Sequence, residues 1–238
     1  AIAEPFCGGA AVAFDNEGPA LLNDADSRLI NLYEILSNPK DYARMLKDIA
    51  VLKVSTPEEL ERRYYEARDY INQEQTFDDP YCRALAFLII RQQCFSGMER
   101  YNKAGKYNVP WGRYKRFSCG LDDCHHEFLA KSTLSNIDAV DFINTLLPST
   151  FVFLDPPYLD RAGYERKDGG LDLHTRLADC VKALDQPWLI VHSDHPFYRE
   201  AYADYKIVEV PFAYSQQFKG GDYDAKVVHL YITNQGLY

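Results

Sequence analysis

The chain has 238 residues, 47% hydrophobic and 26% charged, enough for one large core or a domain that carries a sizeable insertion. No run approaches the roughly 18–20 uninterrupted apolar residues of a membrane helix, no charged-then-apolar leader is seen, and the six scattered cysteines contain no CxxC pair. The expectation is a soluble intracellular protein with reduced thiols, and a formal net charge of -9 excludes non-specific coating of nucleic acid, so any DNA-binding face has to be local.

Residues 1–14, AIAEPFCGGAAVAF, read as a short apolar strand, a Gly-Gly turn and a small-residue segment entering a helix. PALLND is a second apolar run ending at acids, and SRLINLYEIL places Leu29, Leu32, Tyr33 and Leu36 on one helical face. From about Asn38 to Phe117 the character changes to long charged helical segments. Thr56-Pro57-Glu58-Glu59 is a capping box with proline at the first helical position, opening a helix predicted to run through Tyr70. YCRALAFLIIRQQCF carries too few charges for a surface helix and predicts a packed one. After Leu121 an α/β rhythm returns, with a helix to about Lys131, a strand near Ser132–Ile137, a helix to Leu147 and the strand STFVFL. A helix over Thr175–Leu184, the buried-strand run PWLIVHSD, a helix from Pro196, and two alternating strands, KIVEVPFAY and AKVVHLYIT, around Gly220-Gly221 complete the chain. The reading is an α/β fold in two parts, 1–37 and 118–238, interrupted by a helical insert, 38–117.

Two motifs carry chemistry. In Glu4-Pro5-Phe6-Cys7-Gly8-Gly9-Ala10 the glycines let backbone approach a ligand at the carboxyl end of a strand, and Asp24, closing the next strand, is placed to accept both hydroxyls of a ribose. The GxGxxG pattern of dinucleotide sites is absent, so adenosine without a pyrophosphate fits better. Asp155-Pro156-Pro157-Tyr158 directly follows the apolar strand FVFL. Two prolines enforce a rigid loop that projects Asp155 and the Pro156 carbonyl as acceptors beside an aromatic plate, the frame that an amino group on a planar heterocycle requires.

From Arg91 to Arg116 seven basic residues stand against the single acid Glu99, interleaved with Tyr101, Tyr107, Trp111 and Tyr114, a pattern for phosphate contact with stacking or wedging. By base rate Tyr107 and Trp111 are more often core. Cys119, Cys124, His125 and His126 form the one cluster with metal-ligand chemistry, but CxxxxCHH lacks zinc spacing, and no metal is expected.

These motifs together resemble the Dam-like class of DNA adenine-N6 methyltransferases across nearly the whole chain. EPFCGGA resembles the family's cofactor motif, NDADSRLINLY its ribose-acid segment, FSGMERYNKAGKYNVPWGRY its target-recognition stretch and FLDPPY its catalytic motif; HSDHPFYREAY and KVVHLYITN resemble its later strands. The resemblance implies a Rossmann-like fold that binds S-adenosylmethionine, with a mixed, mostly parallel sheet, a C-terminal antiparallel strand pair and a helical target-recognition insert. It implies Glu4, Pro5, Phe6, Cys7, Gly8, Gly9, Asp24, Asp138 and Asp155 as cofactor residues and Asp155, Pro156, Pro157 and Tyr158 as catalytic ones. Arg91, Tyr101, Asn102, Lys106, Asn108 and Arg113 are the candidates for contact with double-stranded DNA, and the polar loop from Asp160 to Gly170, with Arg161, Tyr164, Arg166 and Lys167, is a candidate to close on a flipped-out adenine. Ala139 follows Asp138 where the family usually has a bulky residue, and the family's lysine-bearing segment ahead of the first strand has no counterpart in this sequence, which opens inside that strand. Further expectations are a cytoplasmic location, a monomer or weak dimer, and membership of a restriction-modification setting. The amine frame leaves cytosine-N4 and RNA adenine targets open, together with a catalytically silent DNA-binding homologue; Asp155, where cytosine enzymes more often carry Ser, favours adenine.

Overall fold

A computed structural model describes residues 1–16, 18–73, 79–159, 170–212 and 227–236. Most of the loop from Asp160 to Gly170, and Gly220-Gly221, lie outside the described residues. In chain order the elements are β1 (Ile2–Glu4), α1 (Ala11–Asp15), β2 (Ala20–Asn23), α2 (Ser27–Ser37), α3 (Pro39–Lys53), α4 (Pro57–Asn72), α5 (Pro80–Gln93) and α6 (Asp123–Lys131). Then follow β3 (Thr133–Ser135), α7 (Ala139–Ile143), β4 (Phe151–Leu154), α8 (Leu171–Lys182), β5 (Trp188–Ser193), α9 (Pro196–Ala201), β6 (Lys206–Phe212) and β7 (Val227–Thr233).

The chain divides into two compact units, residues 1–25 with 137–238, and residues 26–136. The second unit therefore contains α2 and the segment 118–136 as well as the stretch 38–117. Six strands belong to the first unit, in the order β2-β1-β4-β5-β7-β6. β2, β1, β4 and β5 are parallel neighbours, whereas β7 runs antiparallel to both β5 and β6. This is the mixed, mostly parallel Rossmann-like sheet with a C-terminal antiparallel pair that the sequence predicts.

Near-continuous apolar strands signal a sheet covered on both faces. Val152, Leu154, Trp188 and Ile190 from β4 and β5 are fully buried, in one cluster with Leu177 and Val181 of α8, Tyr198 and Tyr202 of α9, and Leu230 and Ile232 of β7. Each such side chain stabilises the fold by about 1.5–3 kcal/mol on transfer from water, which fixes where β4 ends and so where Asp155 begins. α7 stops at Ile143 instead of reaching Leu147, because Thr145 and Leu146 donate to Phe142 and Ile143 in tightened turns and Pro148 cannot continue a helix. α8 begins at Leu171, ahead of the predicted Thr175.

In the second unit three helices open on the same device, a polar cap followed by proline. Asn38 caps α3, Thr56 closes the predicted capping box with Glu59 on α4, and Asp79 caps α5. α5 buries Ala84, Ala86 and every residue from Phe87 to Ile90, as its low charge predicts.

Candidate active site

Chain order places β2 on one side of β1 and β4 on the other. The strand order reverses there, and a crevice opens beyond the carboxyl ends of the strands at such a point. Register aligns Ile2 and Ala3 with Phe151 and Val152, and Glu4 with Leu22. The segments that leave this edge are Glu4–Ala10, Asn23–Asp24 and Asp155–Tyr158, the same three that carry the sequence motifs.

The first turn is held by polar contacts. Gly8 has φ +45°, and a Cβ there or at Gly9 would meet nothing within 4 Å, so both glycines border open space. The Gly8 N–H donates to Asp24 Oδ2 at 3.0 Å, and the Cys7 N–H donates to the Asn23 carbonyl at 2.8 Å. Glu4 is 2% exposed and accepts the Ala13 N–H at 2.5 Å. Burial, with a smaller contribution from the charge of Asp155, raises its carboxyl to about 7 against the lowering effect of that hydrogen bond. Cys7 is buried, and its thiol is pushed up by desolvation and by the charges of Asp24 and Glu4, which disfavours the thiolate. Phe6 packs on the core cluster, and Pro5 is buried.

Asn23 is fully buried and organises this corner. Its Nδ2 donates to the carbonyls of Pro5 and Ile137 at 3.0 and 3.1 Å, and its Oδ1 accepts the Ile137 N–H at 3.0 Å. One amide thereby ties the cofactor-motif turn to the segment that leads into Asp138. Asp138 itself accepts from Val140 and Asp141 as the N-cap of α7 and pairs with Arg176 at 2.9 Å, which holds its carboxyl below the ordinary value despite partial burial.

Beyond β4, Asp155 is exposed, Pro156 is buried, and Pro157, Tyr158 and Leu159 are half-buried. The Tyr158 ring lies 4.8 Å from His192, tilted by 52°, and meets His229 edge-on at 5.5 Å. The loop thus offers one exposed carboxylate next to an aromatic face backed by imidazoles. The donor set suits an adenosine sulfonium: an acid at the end of β2, a glycine turn of open backbone, and two carboxyl groups within electrostatic reach of each other.

In the second unit residues 93–112 form an antiparallel ribbon. The N–H groups of Phe95, Gly112, Asn108 and Asn102 donate to the carbonyls of Pro110, Gln93, Arg100 and Lys106. Its base is sewn to the helices: Tyr64 Oη donates to the Val109 carbonyl, Asn72 exchanges two hydrogen bonds with Tyr107, and Trp111 Nε1 donates to Gln93. Its tip, residues 102–106, is exposed, and the Asn102 side chain accepts the N–H groups of Ala104 and Lys106 to shape the turn. Arg28 is clamped by Asp26 at 2.7 Å and lies 5.4 Å from the Phe87 and Tyr101 ring centres.

A model of the D12 class N6 adenine-specific DNA methyltransferases matches residues 1–215. The chain belongs to that family. It is 32% identical to the type II methyltransferase M.CviBI of Paramecium bursaria Chlorella virus NC1A, over 97% of this chain and 88% of the relative. It is 28% identical to the DNA adenine methylase of Escherichia coli (strain K12), over 92% of this chain and 81% of the relative. A third relative, the type II methyltransferase M.MjaIII of Methanocaldococcus jannaschii, is 29% identical over 77% of this chain and 69% of its own length. The protein is therefore a site-specific DNA adenine-N6 methyltransferase, which selects DNA adenine from the amine targets left open by the motifs.

In this methyltransferase the structure brings Glu4, Pro5, Phe6, Cys7, Gly8, Gly9, Asp24 and Asp155 to one sheet edge. Of the six residues read as DNA contacts, Asn102 and Lys106 stand at the ribbon tip and Arg113 is exposed with φ +58°. The other three are engaged by other side chains: Arg91 pairs with Glu99 at 3.6 Å, Tyr101 Oη donates to Glu99 at 2.7 Å, and Asn108 Oδ1 accepts Arg100 Nε at 2.8 Å. Tyr107 is core. Of the Cys/His cluster, Cys124 and His125 both meet Asp122 at the start of α6, where Asp122 and His125 form a capping box. His126 instead donates from Nδ1 to the Leu36 carbonyl and stacks on Tyr42 at 4.6 Å. Sequence reasoning missed Asn23, whose signal was a lone amide in the apolar run PALLND, and the ribbon, whose signal was Gly105 within NKAGK.

We find among the described residues no helix long and apolar enough to cross a membrane.

Proposed function

We propose that the methyltransferase binds S-adenosylmethionine on the Glu4–Gly9 turn with Asp24 at the ribose, and holds an adenine flipped out of double-stranded DNA on Tyr158. The carrying observation is the meeting of the Glu4, Asp24 and Asp155 segments at the carboxyl ends of β1, β2 and β4. The cofactor, when bound, supplies a methyl group on a sulfonium that already leaves readily.

The residues then have mainly to position. Asp155 and the Pro156 carbonyl accept the two hydrogens of the adenine amine, which turns the nitrogen lone pair toward the methyl group and stabilises the positive charge that develops on nitrogen. The prolines keep both acceptors fixed before substrate arrives, so little reorganisation is required. Asp138, linked to the cofactor turn through Asn23 and Ile137, borders the adenine end of the cofactor. In the second unit the ribbon tip with Asn102 and Lys106, together with Arg113, contacts DNA, while Arg91, Tyr101 and Asn108 brace the ribbon.

Equilibrium binding of S-adenosylmethionine and single-turnover transfer to DNA, measured in two variants, test this reading. Asp24→Ala should weaken cofactor binding by roughly tenfold or more. Asp155→Ala should keep cofactor affinity and lower transfer by about 10²–10³-fold. Equal effects of both variants on cofactor binding alone would refute the division of roles.

A further inference from the structure

Behind the Asp155–Tyr158 loop lies a group of aromatic rings that the proposed chemistry does not use. His174 of α8, His192 of β5 and Tyr198 of α9 are each at most 1% exposed, and His229 of β7 is 8% exposed. His192 stacks on Tyr198 with ring centres 4.0 Å apart and planes at 21°, and it also lies against Tyr158. His174 packs edge-on against His192, and its Nδ1 lies 2.7 Å from Tyr198 Oη.

The hydrogen bonds of His192 fix its proton. Nε2 accepts the backbone N–H of Leu159, the residue after Tyr158, at 3.3 Å. Nδ1 lies 2.9 Å from the Ser193 carbonyl, which can only accept. An imidazole that accepts at Nε2 and donates at Nδ1 is the neutral Nδ1–H tautomer. The ring therefore does two things at once: it supports the face of Tyr158, and it holds the backbone amide immediately beyond it. His174 is kept neutral beside it, since burial above all lowers its basicity to about 4. The His174 Nε2 is buried without a hydrogen bond of good geometry. The Pro157 carbonyl is near enough to favour a proton on that ring.

We infer that His192 is a positioning residue for methyl transfer, a neutral acceptor that anchors the Leu159 amide and seats the Tyr158 ring, with His174 and Tyr198 supporting it from behind. The inference rests on Asp155–Tyr158 being the adenine-binding loop. It is distinct from a packing role because the two roles rank substitutions in opposite orders. A packing role is best conserved by Phe, which keeps a ring and loses the acceptor. An acceptor role is best conserved by Gln, whose side-chain carbonyl reaches the position of Nε2. Asn reaches only the position of Nδ1 and cannot meet the Leu159 amide.

The experiment measures kcat for transfer to a DNA duplex, the dissociation constant for S-adenosylmethionine, and the urea midpoint in His192→Phe, His192→Asn and His192→Gln, with Asp155→Ala alongside. The expected result is a fall in kcat of roughly tenfold or more in Phe and Asn, from an amide left without its acceptor. Most of that rate should return in Gln, and cofactor affinity should stay within about twofold throughout. A kcat order that follows the urea midpoints, with Phe the most active, would overturn the inference. Loss of transfer in Asp155→Ala with wild-type kcat in all three His192 variants would overturn the inference alone, whereas wild-type transfer in Asp155→Ala would overturn the loop reading and the inference with it. Failure of His192→Phe to fold leaves the Gln and Asn pair, whose equal rates would also overturn it.

Discussion

Replacing Asn23 by Ala removes three hydrogen bonds, one of them fully buried, at the corner where the Glu4–Gly9 turn meets the segment before Asp138. The cost is not the same for each partner. Pro5 is buried, so its carbonyl is left without water and costs about 1–3 kcal/mol. Ile137 is 45% exposed, so solvent can replace the amide at its N–H and carbonyl, and each of those losses costs about 0.5 kcal/mol. The sum is about 3 kcal/mol, which with a urea slope of roughly 2.5 kcal/mol per molar moves the unfolding midpoint down by about 1 M. Asn23→Asp keeps the acceptor for the Ile137 N–H but turns a carboxylate toward two carbonyls, and should be at least as destabilised at pH 7. Urea unfolding followed by circular dichroism is the assay. A midpoint within about 0.2 M of wild type in Asn23→Ala would show that the corner does not depend on this amide.

Glu4 gives a pH signature. Its carboxyl is raised by burial from 4.5 to about 7, so the folded chain retains a proton that the unfolded chain has given up. The stabilisation is complete below 4.5 and is lost as pH rises through 7, by up to about 3 kcal/mol. Glu4→Gln, which keeps an acceptor for Ala13 and cannot ionise, should gain stability relative to wild type between pH 5 and pH 8; a difference in urea midpoint that is the same at both pH values would contradict this. At the ribbon tip, Lys103→Glu or Lys106→Glu should weaken binding to all duplex sequences alike and flatten the salt dependence of affinity by roughly one unit of slope per lost phosphate contact. A change confined to one DNA sequence would instead make the lysine a reader of bases.

The parts of the site that lie on contiguous sequence were legible because local chemistry decides them. FVFL is too apolar for anything but a covered strand, and Pro156-Pro157 then ends it wherever the rest of the chain goes. The same holds for the Thr56 capping box and for the Gly8-Gly9 turn. The ribbon at 93–112 was not legible, because its pairing is sustained by Tyr64 and Asn72 on α4, far away in sequence. Arg91 and Tyr101 each have a partner in Glu99 that sequence position alone does not reveal. His174, His192 and His229 come from three separate elements and converge only once α8 and α9 pack on the sheet, so nothing in their spacing marks them as a group. Asn23 was hidden for the opposite reason: a single polar residue in an apolar strand looks like a strand end until its partners are known.

The most direct measurement is transfer of label from S-adenosylmethionine to unmethylated duplex DNA, followed by digestion to nucleosides, for the wild type and Asp155→Ala in parallel. The account predicts label in N6-methyladenine for the wild type and its loss in the variant at unchanged cofactor affinity. Label retained at the wild-type rate in Asp155→Ala would contradict it.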